Sequence, residues 1–143
     1  TPLSLLMINL DKFKLYKENY GYLAGDQCLQ KVASFLSLHL KRPADFIARI
    51  SGEEFIVILP NTTLDGAHEI AVKLKNSVAS LAYEHAFSTH KVMTVSIGVT
   101  SAEFANLKNV AAVMADELMS QADIGLYQAK EAGGNQVSGA VFV

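Results

Sequence analysis

The alternation of apolar and polar positions along the chain predicts an ordered series of strands and helices. Residues 3–10 form a nearly continuous apolar run of strand length, which is typical of a central strand buried on both faces. Asp11 follows this run and is predicted to cap a short helix over residues 12–19, which Gly21 ends. The N-terminus of such a helix can hold an anion with its free N–H groups.

Three further helices are predicted where apolar residues recur at offsets of three and four. The first begins at Gly25-Asp26 and reaches about residue 40. The second is capped by Thr63. The last follows a linker rich in Ala and Asn, covers about residues 115–132, and is closed by Gly133-Gly134.

Two β-type runs, residues 46–48 and 56–59, meet at Ser51-Gly52 and predict a β-hairpin with its tip at the glycine. Residues 92–100 alternate between apolar and polar positions and predict another strand. A glycine inside that strand, Gly98, indicates that another backbone or a ligand packs closely against it.

The order of elements predicts the fold class. The weakly patterned residues 83–92 are expected to form a loop or a short edge strand, and residues 137–143 a final strand. The resulting order, βααββαβαβ, predicts one α/β domain over residues 1–143, with a single mixed central sheet flanked by helices. Because the chain begins inside a buried strand, we expect this domain to be excised from a longer, multidomain protein.

Composition and charge narrow the range of partners. Half of the 143 residues are hydrophobic, which indicates a packed core rather than disorder. The net charge of −2 argues against nucleic-acid polymers and membrane surfaces as ligands. The single cysteine, Cys28, is predicted to be a core residue and fits a reducing, cytoplasmic compartment. No apolar run approaches the roughly 18–20 residues that cross a bilayer, so any membrane anchor would belong to another part of the protein.

Two adjacent carboxylates, Glu53 and Glu54, come directly after Gly52. A glycine lets a ligand approach the backbone closely, and adjacent carboxylates suit a hard cation such as Mg²⁺. The alternative is a solvated turn with ordinary surface acids. His85 and His90 have no metal-ligand spacing to any cysteine, and we predict no metal role for them.

Five short motifs follow one another across nearly the whole chain. They are Asn9-Leu10-Asp11-Lys12-Phe13-Lys14, Tyr20-Gly21-x-x-x-Gly25-Asp26, Arg49-x-Ser51-Gly52-Glu53-Glu54-Phe55, Val95-Ser96-Ile97-Gly98-Val99 and Ala122-Asp123-x-x-Leu126-Tyr127-x-Ala129-Lys130-x-Ala132-Gly133-x-Asn135. In these motifs the chain resembles the GGDEF family, the diguanylate cyclases of bacteria. The resemblance implies a nucleotide-cyclase fold related to polymerase palms. It also implies a homodimer in which each domain holds one GTP and the two nucleotides are condensed into cyclic di-GMP.

The chemistry that this resemblance implies explains the residue types. Each 3′-hydroxyl attacks an α-phosphate while pyrophosphate leaves, and Mg²⁺ or Mn²⁺ stabilises the charge that develops. The resemblance implies that the cation is bound by Asn9, the Leu10 carbonyl and Glu53. It also implies that Glu54 lies near the attacking hydroxyl.

The resemblance further implies that the nucleotide is contacted by Lys12, Phe13, Lys14, Lys17, Asp26, Gly52 and Lys130. Lys14 and Lys130 match phosphate-contacting lysines. The amides at Lys12 and Phe13 offer a helix N-terminus to the same phosphates. Asp26 matches an acid that accepts hydrogen bonds from the guanine edge.

A separate allosteric site is implied at Arg42-x-x-Asp45, which lies five residues before the Ser51-Gly52 turn. This offset matches the RxxD inhibitory site at which the family binds its product. An arginine fork suits both phosphate oxygens and guanine edges.

Four positions depart from the family pattern. Asn9 replaces the metal-binding aspartate, although Mg²⁺ is normally bound through one or two carboxylates. Lys17 replaces an asparagine that contacts guanine and offers only donors. Gly134 replaces an arginine that clamps the terminal phosphates, and Ser51 replaces the first glycine of the turn. Asp11 is either a substitute metal ligand or only the helix cap.

These departures leave three hypotheses open. The first is a diguanylate cyclase with weak or impaired turnover and an RxxD site for inhibition by its product. The second is a catalytically inactive module that binds GTP or cyclic di-GMP and passes the bound state to an adjoining sensor or effector domain. The third is a dimerisation part that retains only the fold.

Overall fold

The computed structural model of the protein describes residues 2–40, 42–103 and 111–141. Its elements are β1 (Pro2–Leu10), α1 (Phe13–Tyr20), α2 (Tyr22–His39), β2 (Phe46–Ser51), β3 (Glu54–Pro60), α3 (Leu64–Ser80), β4 (Val95–Glu103), α4 (Ala111–Glu131) and β5 (Val137–Val141). This is the predicted order of strands and helices.

The described strands form one five-stranded sheet in the order β2-β3-β1-β4-β5. Strands β4 and β5 are parallel, whereas the other neighbouring pairs are antiparallel. The prediction of a mixed central sheet flanked by helices is therefore confirmed. The central place of β1 explains its apolar run, because a strand with helices on both sides of the sheet has no solvated face.

Helices cover both faces of the sheet. The larger hydrophobic core lies on the face that α2 and α3 cover, and it includes Cys28. That residue is fully buried, as predicted, and burial raises the pKa of its thiol to about 12. On the opposite face, Leu5 and Met7 of β1 pack against Ala122 and Leu126 of α4.

Helix α4 lies unusually close to β4 because of Gly98. A Cβ atom at this position would lie 1.8 Å from the Ala122 carbonyl oxygen and 2.4 Å from the Leu126 nitrogen. The predicted close approach is therefore made by another backbone. This contact brings the C-terminal half of α4 against the middle of the sheet.

The start of α2 and the cap of α1 differ from the prediction. Helix α2 begins at Tyr22 rather than at Gly25-Asp26, because Gly21, with a φ of 93°, both ends α1 and precedes α2. Asp11 does not cap α1, since the N-cap position is Lys12 and no side chain caps it. The Asp11 carboxylate is used elsewhere, as described below.

The remaining boundaries agree to within a few residues. The Thr63 hydroxyl caps α3, as predicted, by accepting a hydrogen bond from Gly66 N. Strand β4 begins at Val95, and the segment before it is a loop with one isolated bridge between Glu84 and Val92. The predicted Ala- and Asn-rich linker and the end of the predicted last strand include residues 104–110 and 142–143, which lie outside the described residues.

Candidate functional site

A cavity of about 410 Å³ opens where the end of β1, the β2–β3 hairpin, the start of α1 and α4 meet. Its lining residues are Asn9, Leu10, Lys12, Phe13, Lys14, Glu53, Asp123, Leu126, Tyr127 and Lys130. Seven of these were predicted to bind a metal or the nucleotide. The fold thus brings together residues that are widely separated in the sequence.

Asn9 lies at the end of the β1 face that α4 covers. Side chains alternate along a strand, so Asn9 shares its face with Leu5 and Met7, which pack on α4. It pairs with Glu54 of β3 and Ser96 of β4. Only 9% of Asn9 is exposed, and among the described residues its side chain has no hydrogen-bond partner. Its amide therefore adjoins the cavity with its hydrogen-bonding groups available.

The tip of the hairpin carries the two predicted carboxylates. The Glu53 carbonyl accepts a hydrogen bond of 3.3 Å from Leu10 N, which holds the tip against the end of β1. Glu53 lines the cavity, whereas Glu54 is half-buried beside it. Burial, followed by the charges of Asp123 and Glu53, raises the pKa of Glu54, and Lys130 opposes this rise.

Asp11 ties β1, β4 and the end of α4 together. Its buried carboxylate accepts hydrogen bonds of 2.6 Å from both Thr94 Oγ1 and Ser96 Oγ. It also accepts from Asn135 N at 2.8 Å and from Lys130 Nζ at 3.3 Å. These contacts replace the helix-capping role predicted for Asp11.

Lys130 contacts the end of β1 directly. Its Nζ atom also donates to the Leu10 carbonyl oxygen at 3.3 Å. A second cavity of about 190 Å³ lies on its other side and is lined by Asp11, Lys12, Ser88, Thr89, His90, Lys130, Gly133 and Gly134. At Gly134, φ is 75° and a Cβ atom would lie 3.0 Å from Asp11 Cγ, so a side chain here would crowd this carboxylate.

His85 supports the start of α1, a role that the sequence analysis missed. The side chain is fully buried, and its Nε2 donates a hydrogen bond of 2.9 Å to the Lys12 carbonyl oxygen. Lys12 has a φ of 53°, a conformation that non-glycine residues adopt rarely. The ring also packs edge-on against Tyr16, with centroids 5.2 Å apart. No local signal in the sequence predicts this contact, because 73 positions separate the two partners.

Four of the residues predicted to act in catalysis or bind the nucleotide do not line the cavity: Lys17, Asp26, Gly52 and Glu54. The Lys17 ammonium lies 5.1 Å from the Phe13 ring centroid and 5.8 Å from the Tyr22 ring centroid. Asp26 is exposed on α2, beside Gly25, whose Cα faces the Lys17 side chain. The two residues predicted to contact guanine therefore lie on a separate surface next to the cavity, where Asp26 is exposed and Lys17 is half-buried.

Arg42 and Asp45 form a compact ion pair away from the cavity. Arg42 Nε donates to both Asp45 oxygens at 3.0 and 2.9 Å, and its Nη2 donates to Asp45 Oδ1 at 2.7 Å. The same Nη2 donates to Thr62 Oγ1 at 2.6 Å. The pair borders a separate cavity of about 250 Å³ between α3 and the end of α2.

The donor groups at the end of β1 fit a hard cation bound with its nucleotide. Within the described part of the chain, no three His, Cys, Asp or Glu side chains converge as metal ligands. A cation would instead use the Glu53 carboxylate, the Asn9 amide oxygen and the Leu10 carbonyl, which are all oxygen donors. Mg²⁺ usually combines one or two carboxylates with substrate phosphates in this way.

The fold and the cavity define an α/β domain with a candidate ligand site at the end of a central strand. A sequence profile described as "Diguanylate cyclase, GGDEF domain" matches residues 1–136. The chain belongs to the GGDEF diguanylate cyclase family. None of the helices in the described ranges combines the length and apolar character that crossing a membrane requires.

Individual relatives agree with this assignment. Diguanylate cyclase A of Treponema denticola is 38% identical over 136 residues, which cover 95% of this chain but only 34% of that protein. The active GGEEF domain of a diguanylate cyclase from Vibrio cholerae is 27% identical with a TM-score of 0.77, over 100% of this chain and 84% of that chain. The GGDEF domain of DgcB from Caulobacter crescentus, solved in complex with c-di-GMP, is 26% identical with a TM-score of 0.81, over 96% of this chain and 77% of that chain.

Proposed function

We propose that this chain is a GTP-condensing domain of cyclic di-GMP signalling whose turnover is impaired. The observation that carries the proposal is one cavity whose lining combines acidic and basic groups. Glu53 and the Leu10 carbonyl offer oxygen atoms to a cation, and Lys14 and Lys130 offer positive charge to phosphates. Two chains, each with one GTP, would form the product, so the active state is a homodimer. Family membership and the likeness to a domain solved with c-di-GMP support this proposal.

In this proposal different residues around the cavity bind the cation and the phosphates. Mg²⁺ or Mn²⁺, when bound, stabilises charge on the phosphate oxygens, and Glu53, Asn9 and the Leu10 carbonyl would hold it. Lys14 and the amides at the start of α1 bind the phosphates.

Glu54 is the proposed proton acceptor for the attacking hydroxyl. Burial and the neighbouring carboxylates raise its pKa, which brings its proton affinity closer to the operating pH of a general base. Lys17 and Asp26 would meet the guanine on the exposed surface beside the cavity.

Turnover is impaired in this proposal because the end of β1 lacks a negative charge. Asn9 offers a neutral oxygen where a carboxylate would attract a divalent cation. Lys130 Nζ lies 3.3 Å from the Leu10 carbonyl oxygen, so a positive charge already lies beside one of the donor atoms. Both features weaken cation binding.

The test incubates the chain with GTP and Mg²⁺ or Mn²⁺ and measures cyclic di-GMP by chromatography. We expect slow product formation by the wild type, and loss of product in Glu53→Ala, with Glu69→Ala on the exposed face of α3 as the matched control. Asn9→Asp should raise the rate about 10-fold or more, since even outer ligands of a metal typically change activity by about 10–100-fold. Wild-type product no greater than that of Glu53→Ala would reject cyclase activity.

A second candidate function is a regulatory module that binds cyclic di-GMP without making it. The observation that favours it is the Arg42–Asp45 pair, which is fully formed and lies apart from the altered cavity. In this case the bound nucleotide would act on an adjoining sensor or effector domain. Calorimetry with cyclic di-GMP distinguishes the two, because tight binding without any turnover supports the module.

The chain would act as one domain of a larger cytoplasmic protein. It spans 34% of the length of the Treponema relative, which leaves room for further domains in a protein of that kind. GTP is the proposed substrate, and this places the proposed activity in the cytoplasm.

A further inference from the structure

Asp123 of α4 faces the same cavity as Asn9 and Glu53. It lies one position after Ala122, which packs on the β1 face that ends in Asn9. The shared cavity thus places Asp123 beside the end of β1, on the side of the sheet that α4 covers.

We propose that Asp123 is a ligand of the divalent cation and supplies the carboxylate that the end of β1 lacks. The proposal rests on the proposed function, because the cation is the one expected to accompany GTP. The ligand set would be the Glu53 and Asp123 carboxylates together with the Asn9 amide oxygen and the Leu10 carbonyl oxygen. Two carboxylates with further neutral oxygens and phosphates are a usual set for Mg²⁺.

The Asn9 side chain is the independent observation that points to a ligand. It is nine-tenths buried, lines the cavity and has no hydrogen-bond partner among the described residues. Because no described residue engages the Asn9 amide, its oxygen is available to a cation in the cavity. A bound cation would satisfy the amide oxygen and would draw the carboxylates on both sides of it together.

Charge also favours this arrangement. Glu53 and Asp123 bring two carboxylates to the lining of the cavity, and Glu54 follows Glu53 directly in the sequence. A divalent cation bound by Glu53 and Asp123 would balance the negative charge of these two carboxylates. Lys130 stays with Asp11 and the Leu10 carbonyl, which its ammonium group already contacts.

The test titrates the full chain with Mn²⁺ and follows the free ion by electron paramagnetic resonance, with and without GTP. We expect Asp123→Asn to weaken Mn²⁺ binding at least about 10-fold, the usual size of such losses at metal sites. Glu117→Gln, an exposed acid on the same helix, is the matched control and should bind as the wild type does. Circular dichroism checks that each variant is folded.

The double variant Asn9→Asp/Asp123→Asn returns a carboxylate to the end of β1 and should recover most of the lost Mn²⁺ affinity. Unchanged Mn²⁺ binding by Asp123→Asn, in a wild type that binds the ion, would overturn the role of Asp123 and leave the proposed function standing. A wild type that binds neither Mn²⁺ nor GTP would overturn both. A loss of GTP binding in Asp123→Asn with Mn²⁺ binding intact would assign Asp123 to the nucleotide and reject it as a metal ligand.

Discussion

Asp11 and Asp45 are both buried carboxylates paired with a cation, but they join very different parts of the chain. The Asp11 side chain is 6% exposed and the Asp45 side chain 3%, and each accepts at least three hydrogen bonds. The donors to Asp11 lie 83 to 124 positions away in the sequence. The donor to Asp45 is Arg42, three positions away.

The difference indicates that Asp11 has a structural role, whereas Asp45 positions another side chain. Asp11 holds β1, β4 and the end of α4 around the candidate cavity, so that region depends on it for its shape. Asp45 instead orients a guanidinium that remains 44% exposed and thus accessible to a ligand. A buried carboxylate beside a candidate site can therefore serve the fold rather than the site.

The largest expected effect comes from removing each carboxylate in turn. Asp11→Ala would leave two buried hydroxyls and a backbone N–H without their acceptor, and we expect a loss of about 2–5 kcal/mol in the free energy of unfolding. Asp45→Ala should cost about 1 kcal/mol or less, because the exposed Arg42 can turn to water. Urea unfolding measures both, and equal losses would contradict the comparison.

The next effect concerns cyclic di-GMP binding. Because Arg42→Ala alone would leave the buried Asp45 unpaired, we use the double variant Arg42→Ala/Asp45→Ala. Loss of a charged hydrogen-bonding fork should weaken cyclic di-GMP binding about 10-fold or more. Calorimetry measures the affinity, with Lys75→Ala on α3 as the control, and unchanged binding would show that this pair is not the product site.

The smallest effect is a pH dependence at Glu54. In the folded state the pKa of the Glu54 carboxyl is raised above its usual value of 4.5, so its charged form is disfavoured there. Between pH 4.5 and the raised pKa, the stability of the fold therefore falls as the pH rises. Glu54→Gln removes this loss. The variant should therefore unfold at a higher temperature than the wild type near pH 7, and the gap should close below pH 4.5, as thermal melts at several pH values would record. A gap that stays constant with pH would exclude this titration as its cause.

Much of the fold follows from local patterns. The apolar run of β1 and the offsets of three and four in α3 each depend on residues close in sequence, and both elements form where expected. The predicted start of α2 was wrong because one residue, Gly21 with a φ of 93°, separates α1 from α2. The sequence favoured Gly25-Asp26 as the start, yet the helix already includes them.

The candidate site was predictable only in part. Its local motifs indicated Glu53 and Lys130, which the fold brings to one cavity. The contacts of Asp11 and His85 were not predictable, because they join residues 73 or more positions apart through the packing of whole elements. For the same reason, the sequence could not show that α4 places Asp123 opposite the end of β1.

Gly98 has a consequence that reaches beyond the packing of one helix. A methyl group there would collide with the Ala122 carbonyl oxygen and force α4 away from β4. Since α4 carries both Asp123 and Lys130, lifting it would move a negative and a positive charge away from β1 together. A hydrogen atom at position 98 thus sets how deep the cavity is and how closely its charges surround whatever enters.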